Sequence, residues 1–313
     1  MGEDVTDRGY TGMELEEAAR KLETSEEYRV LRLFKPQDRY GQAATDGMTS
    51  VAFLDVESTG VEPHDVPIEI GVVRVEFDPA TGELGKVLER YQGLQDPGRP
   101  IPEHIVALTG ITDDEVRGRQ FDEASLKALI KRSAIIVAHN APFDRGMVEK
   151  LFPWMEKRPW GCTCLDIPWQ AAGISSKKLE FVATMRGFFY KAHRALEDAE
   201  MAAAIAGKPL LEGRPAFHWV LENARADWYR LWATDAPYEA KGRLHAAGYE
   251  WKDGKDGGHK AWRILTKDPV GEAEWLACEV YGYRGKALLQ QVGRNDRFSE
   301  RFDGEEWLSM ARG

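Results

Sequence analysis

The chain has 313 residues, 43% of them apolar, and a formal net charge of −10 at pH 7. That length buries a full core and accommodates one large domain with appendages, or two domains; the charge excludes a protein that coats long nucleic acid by charge alone, since phosphate neutralisation dominates such binding. Three cysteines, Cys162, Cys164 and Cys278, lack the spacing of a disulfide framework or a zinc site, and with neither an apolar leader nor a run of about 18 apolar residues the expectation is a soluble, cytoplasmic protein with reduced thiols.

The acidity is uneven. Residues 1–50 carry 7 basic and 11 acidic groups, residues 51–206 carry 18 and 24, and residues 207–313 carry 17 of each, so the last third repels phosphate least. In chain order, residues 1–12 read as a loose terminus. Apolar residues at helical spacing (Leu15, Ala18, Ala19, Leu22, then Tyr28, Leu31 and Leu33) predict one or two short amphipathic helices between residues 13 and 34, with Thr24 and Glu27 as a capping box that restarts the second. Pro36, Gly41 and Gly47 mark a linker up to residue 49. A strand runs from Val51 into Asp55 and Glu57 and closes on Ser58-Thr59-Gly60, and residues 68–77 and 84–94 form a hairpin across Pro79-Ala80-Thr81-Gly82. A helix is expected over 121–131, a buried strand over 133–138, and helices over 142–151, 178–186 and 195–206, with Cys162-Thr163-Cys164 as a strand facing the core. Strand pairs followed by alternating helices and strands predict an α/β layer fold with a mixed sheet.

Three places carry chemistry. Asp55 and Glu57 stand two apart on a strand, so they share a face; two like charges held there need compensation, which a divalent cation with oxygen ligands supplies. The bland alternative is an acidic strand end. In His139-Asn140-Ala141-Pro142-Phe143-Asp144 the proline suits the first turn of a helix, and Asp144 falls in that same turn near its positive end, as a helix-start carboxylate or as a partner of the first pair. In His193-Arg194-Ala195-Leu196-Glu197-Asp198 a histidine precedes a helix and an aspartate follows about one and a half turns on, so His193 either decorates the helix start or hovers over a metal that Asp198 helps to bind.

These stretches, with Ile68-Glu69-Ile70-Gly71 and Leu108-Thr109-Gly110-Ile111 between them, resemble the DnaQ-like (DEDD) exonuclease superfamily, in its order and with family-like gaps over residues 50–207, about half of the chain. The His-x4-Asp form resembles the histidine subclass. The resemblance implies an RNase H-like exonuclease fold: a mixed central sheet flanked by helices. It implies two Mg²⁺ or Mn²⁺ ions held by Asp55, Glu57, Asp144 and Asp198, with His193 as general base and a nucleoside 5′-monophosphate released from a single-stranded 3′ end. The motifs are closer to proofreading subunits than to short-RNA degraders, which favours DNA over RNA and a polymerase or repair assembly as partner. Substrate-binding candidates are Ser58, Thr59 and Gly60, through backbone N–H groups, Thr109 and Ile111 against sugar or base, and Asn140 and Phe143, whose role is more one of support. Glu69, among apolar neighbours, is expected to be a structural hydrogen-bonding group.

Three parts follow: an N-terminal helical extension and linker (1–49), an exonuclease domain (50–207) and a small α+β domain rich in tryptophan (208–313). In the last part a helix, a hairpin around 249–265 and a later helix near 272–281 are expected. Its indoles either form a small core, the preferred reading, or stack on bases beside Lys252, Lys255, Lys260 and Arg263. Against the nuclease stands a non-catalytic nucleic-acid-binding or scaffold protein on a nuclease fold.

Overall fold

The computed structural model describes residues 11–42, 47–254, 259–299 and 305–309. It opens with α1 (Gly12–Glu23) and β1 (Arg32–Leu33). The capping box sits at Thr11, which accepts from the Glu14 N–H while the Glu14 carboxylate accepts from the Thr11 N–H. The expected restart at Thr24 does not form: the Thr24 hydroxyl donates to the Lys21 carbonyl at the end of α1, and the Glu27 N–H that it would accept goes to Ser25 Oγ instead. Phe34 and Tyr40 then pack onto the main core.

The first sheet is built from β2 (Thr49–Ser58), β3 (Pro67–Phe77) and β4 (Leu84–Leu94), followed by α2 (Glu103–Thr109), α3 (Asp113–Val116), α4 (Glu123–Lys131), β5 (Ile135–Ala138), α5 (Ala141–Leu151) and β6 (Trp160–Cys162). Next come α6 (Leu179–Met185), β7 (Phe188–Phe189), α7 (Ala195–Gly207) and α8 (Phe217–Arg225). The strand order is β4-β3-β2-β5-β6, antiparallel from β4 to β2 and parallel from β2 to β6. Parallel neighbours need crossovers, which put helices on the faces of the sheet. The α/β class with a mixed sheet flanked by helices is therefore as expected.

Side chains alternate across β2. Val51 and Phe53 face a core with α7 and α8, whereas Ala52, Leu54 and Val56 face a second core with α4 and α5. Asp55 and Glu57 follow the odd-numbered series and so point towards the α7 side at the strand's end. The 162–164 expectation is corrected: only Cys162 belongs to β6, and Thr163 and Cys164 lie in the turn that follows. The α8 helix, which a division at 207 assigns to the last part, packs in the first core, where the Phe217 ring lies 5.7 Å from Phe53 and 5.1 Å from Phe77.

The second sheet comprises β8 (Trp228–Ala233), β9 (Glu250–Asp253), β10 (Lys260–Thr266), β11 (Lys286–Val292) and β12 (Glu305–Ser309), with α9 (Lys241–Ala246) after β8 and α10 (Pro269–Trp275) after β10. Its order is β12-β11-β8-β10-β9, with antiparallel pairing throughout. Leu231 and Ala233 pack with Leu244 of α9 and with Leu276 and Val280 behind α10. The indoles divide: Trp232 is fully buried, Trp262 and Trp275 pack against the helix-side core, and Trp251 and Trp307 are exposed. Buried ion pairing joins the two sheets. The Arg297 guanidinium pairs with Asp166, and Arg145, itself without exposed surface, donates to the Arg297 carbonyl at 2.6 Å.

Candidate active site

The end of β2 is shaped by what docks beside it. A Cβ at Gly71, the register partner of Asp55 on β3, would lie 2.2 Å from the Ala195 carbonyl carbon and the Leu196 nitrogen. Only glycine lets the start of α7 come this close. Glu69 on the same strand, fully buried, accepts from the Ala195 N–H at 3.0 Å, from Arg194 Nε and Nη2 at 3.1 and 2.8 Å, and from Gln92 Nε2 at 2.8 Å. Its carboxylate is thus compensated on every side, which is the structural role expected of it. The consequence is a fixed α7 whose first turn carries Asp198 beside β2.

His193 precedes that helix with φ +69°, a left-handed conformation uncommon outside glycine. Its backbone N–H donates to Asp198 Oδ2 at 2.8 Å, so the aspartate holds the turn that presents the imidazole. The other oxygen, Asp198 Oδ1, accepts from the Tyr190 hydroxyl. Tyr190 was missed in the sequence; a tyrosine on the segment before the motif gives no periodic signal. Ligand atoms of Glu57, His193 and Asp198 all lie within 4.8 Å of one another. Asp144 is supplied by α5, with Pro142 in its first turn as expected, and is 2% exposed.

The electrostatics bring the four carboxylates together. Burial holds Asp55 well above the usual carboxylate range, and the charges of Asp144, Asp198 and Glu57 push it the same way. Glu57 is pushed up to about 8 by burial and then by Asp198, Glu69 and Asp144. Asp144 also reaches about 8, chiefly through burial, against backbone hydrogen bonds that pull it down. Asp198 is raised to about 6 by burial, offset by the Tyr190 hydroxyl and the His193 N–H. A cluster of mutually repelling, desolvated carboxylates is the environment a divalent cation relieves, and a donor set dominated by oxygen suits Mg²⁺ or Mn²⁺ better than a soft metal. The residues present fit such ions.

The substrate-binding expectations fare unevenly. Thr59 is buried: its N–H donates to the Val66 carbonyl and its hydroxyl to Asp65, while Arg99 and the Val66 N–H donate to it. The Gly60 N–H turns to Ser58 Oγ, whose own hydroxyl donates to the Gly60 carbonyl, and a Cβ at Gly60 would meet Asp65 at 2.4 Å. Ser58, Thr59 and Gly60 therefore shape the 58–66 loop, and the N–H groups of Thr59 and Gly60 are not offered to a ligand. Thr109 and Ile111 are likewise engaged within the fold. Ile111 is fully buried with Ile68, Ile101 and Ile105, and the Thr109 hydroxyl bridges the Ile105 carbonyl and the Ile111 N–H. Asn140 is exposed and its side chain caps nothing in α5; Phe143 is half-buried against the second core. His139 is buried between Thr163 and the Lys177 carbonyl, and that burial lowers it to about 4, keeping it neutral.

Residues 52–206 match the RNase_T family model, described as exonuclease. Among similar proteins, the DNA polymerase III PolC-type of Thermotoga maritima is 31% identical over 170 residues, which is 52% of this chain and 12% of that protein. The PolC-type polymerase of Listeria monocytogenes is 35% identical over 102 residues, 32% of this chain and 7% of that protein. This chain thus spans about an eighth or less of the length of these relatives. Among solved structures, E. coli exonuclease I in complex with a dA16 oligonucleotide has 18% identity and a TM-score of 0.46, over 70% of this chain and 63% of that one.

Proposed function

We propose, from the premise that residues 52–206 make this chain a member of the DnaQ-like exonuclease superfamily, that it is a metal-dependent 3′-to-5′ exonuclease releasing nucleoside 5′-monophosphates from single-stranded ends, DNA rather than RNA. One observation carries this reading: carboxylates from β2, α5 and α7 gather beside one histidine, and the charge of Asp198 raises the proton affinity of Asp55, Glu57 and Asp144. Asp55, Glu57, Asp144 and Asp198 would hold the two ions, which when bound lower the pKa of an attacking water and neutralise the leaving oxygen. His193 takes the proton of that water, its ring presented by the backbone bond to Asp198. Tyr190 keeps Asp198 oriented, and Glu69 with Arg194 keeps α7 against β3. Asn140, exposed at the start of α5, is the side chain best placed to meet the terminal nucleotide.

We further propose the three-part division of the chain, with α8 grouped by its packing with the exonuclease part, and a polymerase or repair assembly as the setting, supported by the names of the PolC-type relatives. The test is digestion of 5′-labelled single-stranded DNA, RNA and duplex with Mg²⁺ or Mn²⁺. Stepwise shortening of single-stranded DNA from its 3′ end, lost in His193→Ala, is expected. Internal cleavage, or activity undiminished by that substitution, contradicts the reading.

A further inference from the structure

Where the two sheets meet lies a cavity of about 310 Å³ that the reaction chemistry does not use. Pro142 and Leu165 line it from the exonuclease side, and Trp228, Lys252 and Arg263 from the second sheet. Arg263 is the register partner of Trp232, and its neighbour Trp262 packs with α9 and α10 on the opposite face, so the cavity opens on the face those helices leave bare, with Ile264 and Leu265 completing that wall.

Its walls are built. The Arg297 guanidinium lies 4.5 Å from the Trp228 ring centre and 4.4 Å from that of Phe298 while paired with Asp166. Trp228 Nε1 donates to the Asn223 carbonyl at 2.7 Å, which fixes the indole. Arg230, almost fully buried, donates to Gln290 Oε1 and to the Ser299 carbonyl at 2.8 Å. Lys252 and Arg263 each approach Glu250 at 3.7 Å, and Glu250 is the one carboxylate among the described residues that line the cavity. Indole and phenyl surface beside clustered cations suits a base and its phosphate. The volume falls at the lower end of small-ligand pockets, roughly 300–1,000 Å³, which admits one nucleotide and excludes a duplex. Pro142 also stands in the same helical turn as Asp144, which puts one wall of the cavity within a turn of α5 from that carboxylate, on another side of the helix.

We propose that this cavity is a second nucleotide site, taking one unstacked nucleotide of the single strand whose 3′ end lies at the carboxylates. The base rests on Trp228, Leu165 and Phe298, and the phosphate is met by Lys252 and Arg263. The proposal rests on the nuclease reading for the identity of the strand.

Leu165 is 48% exposed and the Lys252 side chain 31%, so Leu165→Glu and Lys252→Glu leave the core intact. Binding of fluorescein-labelled dT12 is followed by anisotropy in EDTA, and cleavage of dT12 and dT2 is followed with Mn²⁺. Each variant is expected to weaken dT12 binding by about tenfold or more, as stacking and charge contacts of this kind do, with dT2 cleavage within about twofold of wild type. Lys252→Glu should also flatten the salt dependence of binding by about one unit of slope, the signature of a lost phosphate contact. Unchanged dT12 affinity, or equal losses on dT2 and dT12, overturns the second site. If the wild type cleaves neither oligonucleotide, the nuclease reading fails, and the EDTA affinities still decide the cavity.

Discussion

The two sheets treat buried charge in opposite ways. In the second sheet and at its seam, Arg230 and Arg297 are buried with partners in place, Gln290 and Ser299 for one and Asp166 for the other. At the end of β2, Asp55, Glu57, Asp144 and Asp198 are gathered with like charges as neighbours, and their carboxyls are driven towards the protonated form. Glu69 sharpens the contrast from within the first sheet: as buried as any of the four, it is answered by Arg194, Gln92 and the Ala195 N–H. Buried charge that the fold resolves is architecture, and buried charge that it leaves unresolved is a place for something the chain itself lacks.

The largest effect expected from breaking this contrast is on catalysis. His193→Ala should cost roughly 10²–10⁴-fold in kcat, the range of a lost general base, in steady-state cleavage of a 3′-ended oligonucleotide, with Tm unchanged. Asp144→Asn should take activity to background, yet raise the Tm of the metal-free protein at pH 8, because it removes a buried carboxyl that must otherwise ionise. On the resolved side, Glu69→Ala strands Arg194 and frees the start of α7. A loss of about 3–5 kcal/mol of stability is expected in urea unfolding, typical of a broken buried pair, and Glu69→Gln should recover part of it.

The pH dependence of the metal-free protein is smaller. Glu57 and Asp144 have folded-state values of about 8, above the roughly 4 of an unfolded carboxyl. The folded state therefore binds more protons than the unfolded one between these values, and stability falls as pH rises through that window. Thermal melts in EDTA should give a higher Tm at pH 5.5 than at pH 8, with Mn²⁺ restoring most at the alkaline end. The smallest effect is Tyr190→Phe. Losing a donor lets the Asp198 proton affinity rise, so activity should fall by only a few-fold while the acid limb of the pH–rate profile moves to higher pH.

Much of this was legible in the residues because strand and helix periodicity carry it. The hairpin of β3 and β4, the buried β5, and the placing of Asp144 in the same turn as Pro142 follow from apolar runs and from proline at a helix start. Asp55 and Glu57 share a face for the same reason. What stayed illegible depends on contacts across the chain. Thr59, Thr109 and Ile111 sit inside motifs that read as substrate-facing, but the two hydroxyls are engaged by Asp65, Arg99 and Ile105 and the N–H groups of Thr59 and Ile111 by Val66 and Thr109, and no local pattern announces that. The capping box at Thr24 was plausible chemistry, but the Glu27 N–H it needs is taken by Ser25 Oγ. β8, β11 and β12 escaped notice because the tryptophans and charges of the last third mask a period of two, and Tyr190 has no signature apart from the aspartate it meets.

The most direct test is calorimetric titration of the wild type with Mn²⁺ at pH 7 in two buffers of different ionisation enthalpy. Saturable binding with proton release, both lost in Asp144→Asn, is what unresolved carboxylates predict. Absent binding, or binding without proton release, would mean that the cluster is not a cation site and that the functional reading built on it is wrong.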